Sequence, residues 1–266
     1  MFDDRSKELR RHIIDMVDVG KRGHIGPAMS LVEVLRVFYD SWLEYDPHKP
    51  LWENRDRLIF SKGHGCLALY AILADKGFFG VNELKSFCKF DSFLGGHPER
   101  FHVPGVEASS GALGHGLSIA VGLAISAKIS KKNHKIVVIT GDGEINEGSV
   151  WEAAMSASKH CLSNLSLWVD YNKLQSYGPT SEVMELEPLA DKLKSFGFKV
   201  FEVDGHDVKK IRSMTKKVSQ VDDKPSAVIC HTIKGKGIPF AENDPSWHHQ
   251  SYLSDKQMEK MYKSLI

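Results

Sequence analysis

A carboxylate and an amide each follow an apolar run of this sequence, at the points where two neighbouring strands would end. Asp142 lies between two glycines directly after the β-branched run at 136–140, and Asn172 follows the run at 165–169. The carboxyl ends of neighbouring parallel strands meet at one edge of a sheet, so Asp142 and Asn172 are expected to lie close together. Hard oxygen ligands of this kind suit Mg²⁺, which completes its octahedron with phosphate oxygens and water. The sequence therefore predicts a magnesium–phosphate site at this edge, with the flanking glycines allowing backbone amides to approach the phosphate.

Three of the thirteen histidines differ from the others in their surroundings. His24, His64 and His97 each lie in a glycine-flanked segment that resembles a loop at the end of a helix or strand. Imidazole titrates near neutral pH, and it can both orient hydroxyl groups and transfer protons. These three are therefore candidate catalytic residues. Six others have no special context and are interpreted as structural: His12, His48, His102, His134, His160 and His206.

The elements that must position these residues follow from the apolar patterning. From residue 135 onward short apolar strands alternate with helical spacers, which predicts a doubly wound, mostly parallel α/β sheet with helices on both faces. The predicted strands are 136–140, 165–169, 200–203 and 227–230, and the helices between them are 150–161, 186–196 and 208–218. The earlier part of the chain reads as helical around 13–19, 31–42, 67–74 and 117–129, with Ser30 and Glu33 expected to form a capping box. We interpret residues 1–266 as one domain.

Composition excludes several classes of protein. The chain has 35 basic and 34 acidic residues, so neither a nucleic-acid surface nor an acidic tail is expected. Its four cysteines form no C-x-x-C pair, which favours reduced thiols over a metal or disulfide site. No apolar run is long enough to span a bilayer, and the first residues do not form a signal peptide. A cytoplasmic enzyme or enzyme subunit is the expectation.

Several segments together resemble one known family. Residues 141–180 resemble the thiamine-diphosphate fingerprint, which is Gly-Asp-Gly followed after fewer than about thirty residues by Asn. Over essentially the whole chain the sequence resembles transketolase, in the motifs Gly23-His24-Ile25-Gly26, Ser61-Lys62-Gly63-His64, Gly96-His97-Pro98-Glu99, Pro104-Gly105-Val106-Glu107 and Gly111-Ala112-Leu113-Gly114-His115-Gly116. The segment 232–237 resembles the one that precedes the last active-site histidine of that family.

The resemblance implies a role for each matching residue. The expected cofactors are thiamine diphosphate and Mg²⁺, for which Ca²⁺ or Mn²⁺ can substitute. The metal ligands would be Asp142, Asn172 and the carbonyl oxygen of Leu174. Glu147 stands where the family has an acidic residue linking the two active sites of the dimer. The implied cofactor-binding residues are His64, Gly111, Leu113, Gly141, Asp142, Gly143, Glu147, Asn172 and His248, and the implied catalytic residues are His24, His64, His97 and His248.

The sequence departs from the family at two positions. The last active-site histidine is usually followed by glycine, whereas His248 is followed by His249, so either could be that histidine; we favour His248. His115 stands where a glutamine is common.

The implied activity is transfer of a two-carbon ketol unit from a ketose phosphate to an aldose phosphate. The resemblance ends before the pyrimidine-binding domain, so we expect a separate C-terminal subunit to complete the site in an α2β2 assembly; a truncated chain explains the length equally well. Alternatives are a transketolase-like enzyme of a specialised pathway, a 1-deoxyxylulose-phosphate synthase, a 2-oxoacid dehydrogenase alpha chain, and a non-catalytic cofactor-binding subunit. Neither a nucleic acid nor a membrane is an expected partner.

Overall fold

The computed structural model describes residues 2–266, and its centre is a five-stranded sheet whose strand pairs are all parallel. The strands are β1 (Arg57–Phe60), β2 (Ile136–Gly141), β3 (Leu165–Tyr171), β4 (Lys199–Asp204) and β5 (Ser226–His231). Their order across the sheet is β1-β2-β3-β5-β4. Every residue of β2 and β3 is buried, which explains why these central strands read as continuous apolar runs. The predicted α/β class with a parallel sheet is confirmed.

Helices cover both faces of the sheet. They are α1 (Asp4–Gly20), α2 (Ile25–Met29), α3 (Val32–Ser41), α4 (Cys66–Asp75), α5 (Gly116–Ile129), α6 (Gly148–Lys159), α7 (Thr180–Val183), α8 (Leu189–Ser195), α9 (Val208–Val218) and α10 (Asp255–Lys263). Side chains of β2 alternate between two hydrophobic clusters: Val137 and Ile139 pack with α1, α3, α4 and α9, whereas Ile136 and Val138 pack with α5, α6 and α8. None of the helices in residues 2–266 is both long and apolar enough to cross a membrane.

One strand was missed by the sequence analysis, and one predicted local motif does not form. Strand β1 was not predicted, because its apolar run is only three residues long and could equally end a loop. The predicted capping box at Ser30 and Glu33 does not form, since α3 begins at Val32 and has no side-chain cap. The Ser30 hydroxyl instead donates to a carboxylate oxygen of Asp170 at 2.6 Å, and Glu33 pairs with Arg10. Buried charged partners therefore outcompete a local cap.

The helix predicted over 186–196 begins three residues later, at Leu189. Pro188 directly precedes it, and the residue before a proline is disfavoured in helical backbone, so the helix does not continue back through Glu187.

Candidate active site

A cavity of about 440 Å³ opens at the carboxyl ends of the parallel strands. It lies between residues that follow β1, β2, β3 and β5, the edge at which ligands bind in such sheets. Every residue assigned a catalytic, cofactor or metal role from the sequence lines it except His97: His24, His64, Gly111, Leu113, Gly141, Asp142, Gly143, Glu147, Asn172, Leu174 and His248. The exception, His97, lines a small adjoining cavity of about 70 Å³ together with His24.

Asp142 and Asn172 are brought together by the pairing of β2 with β3, in which Gly141 lies beside Asp170. The Asp142 carboxylate accepts hydrogen bonds from the backbone amides of Gly143 at 2.8 Å and Lys173 at 2.5 Å. Burial, followed by the nearby Asp170 carboxylate, raises the pKa of Asp142 to about 6. A buried carboxylate in this situation is one that a bound cation would stabilise.

Leu174 lines the same cavity. The amide of Leu174 donates to Asn172 Oδ1 at 3.1 Å, and its carbonyl oxygen accepts from Lys234 Nζ at 2.7 Å. The lining therefore contains a carboxylate, an amide oxygen and a carbonyl oxygen, contributed by the residues that follow β2 and β3, which is a donor set suited to Mg²⁺.

A buried acid–base network lies directly behind this oxygen set. The Asp170 carboxylate accepts from Lys62 Nζ and from the hydroxyls of Ser30 and Thr232. Burial alone would raise the pKa of Asp170, but the Lys62 ammonium and these hydrogen bonds hold it below its ordinary value. Asp170, in β3, thus connects Lys62 after β1 with Thr232 after β5 through hydrogen bonds.

The loop carrying Gly111 and Leu113 is held by a second buried carboxylate. Glu144 accepts from the amides of Gly114 at 3.0 Å and Gly141 at 3.1 Å, and from the hydroxyl of Ser61. Burial raises the pKa of Glu144.

Four histidine rings surround His24. The centroid distances from His24 are 4.6 Å to His249, 5.4 Å to His64, 5.4 Å to His248 and 5.9 Å to His97. His248 lines the large cavity and His249 the small one, so both candidates for the last active-site histidine adjoin the cluster.

The cluster is held in its neutral form. Burial, together with neighbouring basic groups such as His249, lowers the pKa of His24 to about 3. Burial followed by the Lys234 ammonium likewise lowers the pKa of His248 to about 3, and burial lowers the pKa of His64 and His97. A neutral imidazole can both donate and accept a hydrogen bond near pH 7, which suits orientation of hydroxyl groups and proton transfer.

Two buried polar atoms in the lining of the large cavity lack a partner among residues 2–266. They are His248 Nδ1 and Gln175 Nε2. Buried polar atoms are nearly always paired in folded proteins, so these two atoms are exceptions among the residues that line the cavity.

Sequence reasoning missed several residues of this site. Lys234, Lys62, Glu144 and Gln175 line the cavity but were not assigned a role. Lys234 lies three residues after β5, so the rule that ligands bind at strand carboxyl ends could have identified it. Burial, with a smaller contribution from Lys62, lowers the pKa of Lys234 to about 8.

Two other histidines named in the sequence analysis have different surroundings. His206, interpreted as structural, bonds Glu33 through Nδ1 at 3.1 Å and accepts from the Ile233 amide at 2.8 Å, just before Lys234. His115 is exposed and contacts its own loop through the carbonyl of Leu113.

A larger cavity, of about 500 Å³, lies at the opposite edge of the sheet. Its lining includes Lys131, Lys132 and Asp222 but none of the residues assigned a role from the sequence. Lys132 donates to the side-chain oxygen of Asn54. The residues assigned a role from the sequence, except His97, line the cavity of about 440 Å³ at the carboxyl edge instead.

Comparison with protein families matches residues 3–265 to the model described as "Transketolase, thiamine diphosphate binding domain". The chain belongs to the transketolase family. Two similar proteins are a subunit of the apulose-4-phosphate transketolase of Phocaeicola vulgatus and the SqwG subunit of the 6-deoxy-6-sulfo-D-fructose transketolase of a Clostridium species. The first is 41% identical, covering 92% of this chain and 87% of the relative; the second is 39% identical, covering 95% and 91%.

Solved transketolases share the fold as well as the sequence. A transketolase variant from Pichia stipitis superposes with a TM-score of 0.91 at 29% identity, over 97% of this chain and 39% of that one. The Campylobacter jejuni transketolase gives 0.89 at 30% identity, over 100% and 43%. The chain thus spans about two fifths of the length of these transketolases, and the matched part is the thiamine-diphosphate-binding domain.

Proposed function

We propose that this chain is the cofactor-binding subunit of a transketolase that moves a two-carbon ketol unit from a ketose phosphate to an aldose phosphate. The observation that carries the proposal is the arrangement of one cavity, onto which the oxygen set of Asp142, Asn172 and Leu174 and the imidazoles of His24, His64 and His248 open together. The oxygen set would bind a metal with the diphosphate, and the histidines would bind the hydroxyl groups of a sugar. We further propose that residues 1–266 act as one domain.

The lining fits thiamine diphosphate with Mg²⁺. Asp142, Asn172 and the Leu174 carbonyl would hold the metal, and Ca²⁺ or Mn²⁺ could replace it because all three ligands are oxygens. The residues proposed to contact the cofactor are His64, Gly111, Leu113, Gly141, Gly143, Glu147 and His248.

When bound, thiamine diphosphate supplies the carbanion and electron sink for breaking a carbon–carbon bond beside a hydroxyl. The chain's own residues must orient the sugar and move its protons. We propose that His24, His64, His97 and His248 do so, because their lowered pKa values leave neutral imidazoles at physiological pH.

A second subunit would complete the site. The two relatives described above are called subunits, and this chain covers 87% and 91% of their lengths, which supports a division of the enzyme into two polypeptides. Tyr177 and Met184 line the cavity with 91% and 61% of their surface exposed, and apolar side chains exposed beside a cavity are typical of an interface. We propose a C-terminal, pyrimidine-binding partner in an α2β2 assembly. The cytoplasm stays our prediction for its location.

Two classes of donor sugar are candidates for this activity. The relatives named above act on apulose 4-phosphate and on 6-deoxy-6-sulfofructose, according to their names. A donor from a specialised pathway is therefore the second candidate, beside a common pentose or hexose phosphate.

The test is ketol transfer from xylulose 5-phosphate to ribose 5-phosphate with thiamine diphosphate and Mg²⁺. The wild-type chain is assayed alone and with its partner subunit, and the His97→Ala variant of the chain is assayed with the same partner. The matched control is His48→Ala, because His48 is exposed and lies outside both cavities. Activity that needs both subunits and falls only in His97→Ala supports the proposal. If the cofactor binds but no transfer occurs, the specialised donors are assayed next; if neither occurs, the proposal is wrong.

A further inference from the structure

His249 is placed opposite His24 by the backbone. Gly23 and Gln250 form an antiparallel bridge, with amide-to-carbonyl distances of 2.9 Å from Gly23 to Gln250 and 3.0 Å in return. In such a bridge the next residue on one strand faces the preceding residue on the other, and both side chains lie on one face. The register therefore pairs His24 with His249 independently of the rest of the cluster.

The His249 ring is the one that packs most closely on His24. Their centroids lie 4.6 Å apart at an interplanar angle of 60°, an edge-to-face contact, while the other three rings lie 5.4 to 5.9 Å away. His249 is exposed and His24 is half-buried. The His249 ring therefore lies between His24 and solvent.

Basic side chains and the thiols of Cys66 and Cys88 lie beside His24 in the small cavity, whereas the carboxylates of Asp142, Glu144 and Glu147 line the large cavity that His24 also adjoins. The small cavity that His24 shares with His249 has no carboxylate side chain in its lining, as far as residues 2–266 are described. The titratable and charged groups that face His24 from the packed elements are Arg22, His64, His97, Lys234, His248 and His249.

We propose that His249 is a positioning residue for His24: its ring fixes the orientation of the His24 imidazole and shields it from water on the side of the small cavity. The contribution of His24 to turnover rests on the proposed function, but its contact with His249 does not. Burial is the largest cause of the lowered pKa of His24, and His249 is the next. Removing the ring weakens both causes, so the pKa of His24 should rise towards its ordinary value of 6.5.

The first test follows the titration of His24 by NMR, using chain labelled in its imidazole rings with thiamine diphosphate and Mg²⁺ present. His249→Gly removes the ring, His249→Phe keeps a ring that cannot titrate, and His48→Gly is the control at an exposed turn. We expect the pKa of His24 to rise by about one unit or more in His249→Gly and by clearly less in His249→Phe. An unchanged titration in His249→Gly, an equal rise in His249→Phe, or an equal rise in His48→Gly overturns the proposal.

The second test uses the chain with its partner subunit. If neutral His24 takes part in turnover, the acidic limb of the kcat/KM profile should move to higher pH in His249→Gly, and His249→Phe should restore most of the wild-type profile. A fall in kcat/KM at every pH with no movement of the limb means a merely structural role and rejects the proposal. Absence of ketol transfer in the wild type rejects the proposed function alone, because the NMR titration still decides the role of His249.

Discussion

The carboxylate of Glu144 accepts a hydrogen bond from the backbone amide of Gly114 at 3.0 Å, joining the loop that carries Leu113 to the turn that follows β2. Its other oxygen accepts from the Gly141 amide at 3.1 Å, and the Ser61 hydroxyl donates to the first. Gly114 has φ of +83°, and a Cβ there would come within 2.6 Å of Glu147. The Glu144 carboxylate and Gly114 together set the distance between this loop and the turn that follows β2.

Replacing Glu144 by Gln should weaken thiamine diphosphate binding about tenfold, which corresponds to loss of roughly one net hydrogen bond to a charged group. An amide keeps the size of the side chain, but its NH₂ group cannot accept from a backbone N–H, so one of the two amides loses its acceptor. Isothermal titration calorimetry with Mg²⁺ present measures the affinity. Glu152→Gln, at an exposed position of α6, is the control, and equal affinities in all three proteins would refute the anchoring role.

Asp142→Asn should abolish the dependence of cofactor binding on Mg²⁺. The substitution keeps the shape of the side chain but removes the negative charge that attracts the cation, so the residual affinity should be the same with Mg²⁺ and with a chelator. Fluorescence titration with thiamine diphosphate, with and without chelator, gives the two constants. The exposed Asp191→Asn on α8 should keep the wild-type difference; a variant at position 142 that still responds to Mg²⁺ would place the metal elsewhere.

The fold could be predicted from the sequence where elements are long or fully buried. Strands β2, β3 and β5 and helices α5, α6 and α9 were predicted to within two residues at each end, because central strands of a parallel sheet are continuous apolar runs. Edge strand β1 was missed, since four residues give too little periodicity to distinguish a strand from a loop. The false capping box at Ser30 shows that a local motif fails when a distant charge competes for the same side chain.

Residues of the cavity lining could be predicted where they directly follow a buried strand, as Asp142 and Asn172 do. Lys234 and Glu144 were missed because each acts through partners that are distant in sequence. Lys234 bonds Leu174, which is 60 residues away in the sequence, and Glu144 bonds Gly114, which is 30 residues away. Only the sheet order, which places β5 beside β3, makes the first contact visible.

Lys234→Met should reduce thiamine diphosphate affinity by about tenfold or more while keeping the apolar stem of the side chain. Lys234 Nζ donates to the carbonyl oxygen of Leu174 at 2.7 Å and is the cation nearest that predicted metal ligand, so its loss removes positive charge beside the diphosphate site. The measurement is calorimetry at low and high salt, because an electrostatic loss should shrink as salt rises. Lys236→Met, two residues away and paired with Glu242, is the control. Unchanged affinity in Lys234→Met contradicts this role.

The segment that presents Lys234 is tied to the helical layer by a buried ion pair, which predicts a pH-dependent stability. Arg10 and Glu33 are 0% and 1% exposed and form two hydrogen bonds of 2.6 and 2.9 Å. Arg10 also donates to the carbonyl of Lys236 at 2.9 Å, and His206 bridges Glu33 to the Ile233 amide. Glu33→Gln leaves the Arg10 charge uncompensated and should cost about 3 kcal/mol of unfolding free energy at pH 7.

Burial alone would raise the pKa of Glu33, but Arg10 and His206 bring it down to about 2, below its ordinary value of 4.5. A carboxylate whose pKa is lower in the folded state stabilises the fold above the unfolded pKa, and this stability is lost as pH falls through the folded one. The gap between wild type and Glu33→Gln in urea unfolding should therefore be full above about pH 5 and should shrink between pH 4.5 and about 2. Glu83→Gln, at an exposed position, should show no gap at any pH. A gap that is constant from pH 7 to pH 3 would mean that packing, rather than the charge pair, holds the segment before Lys234 in place.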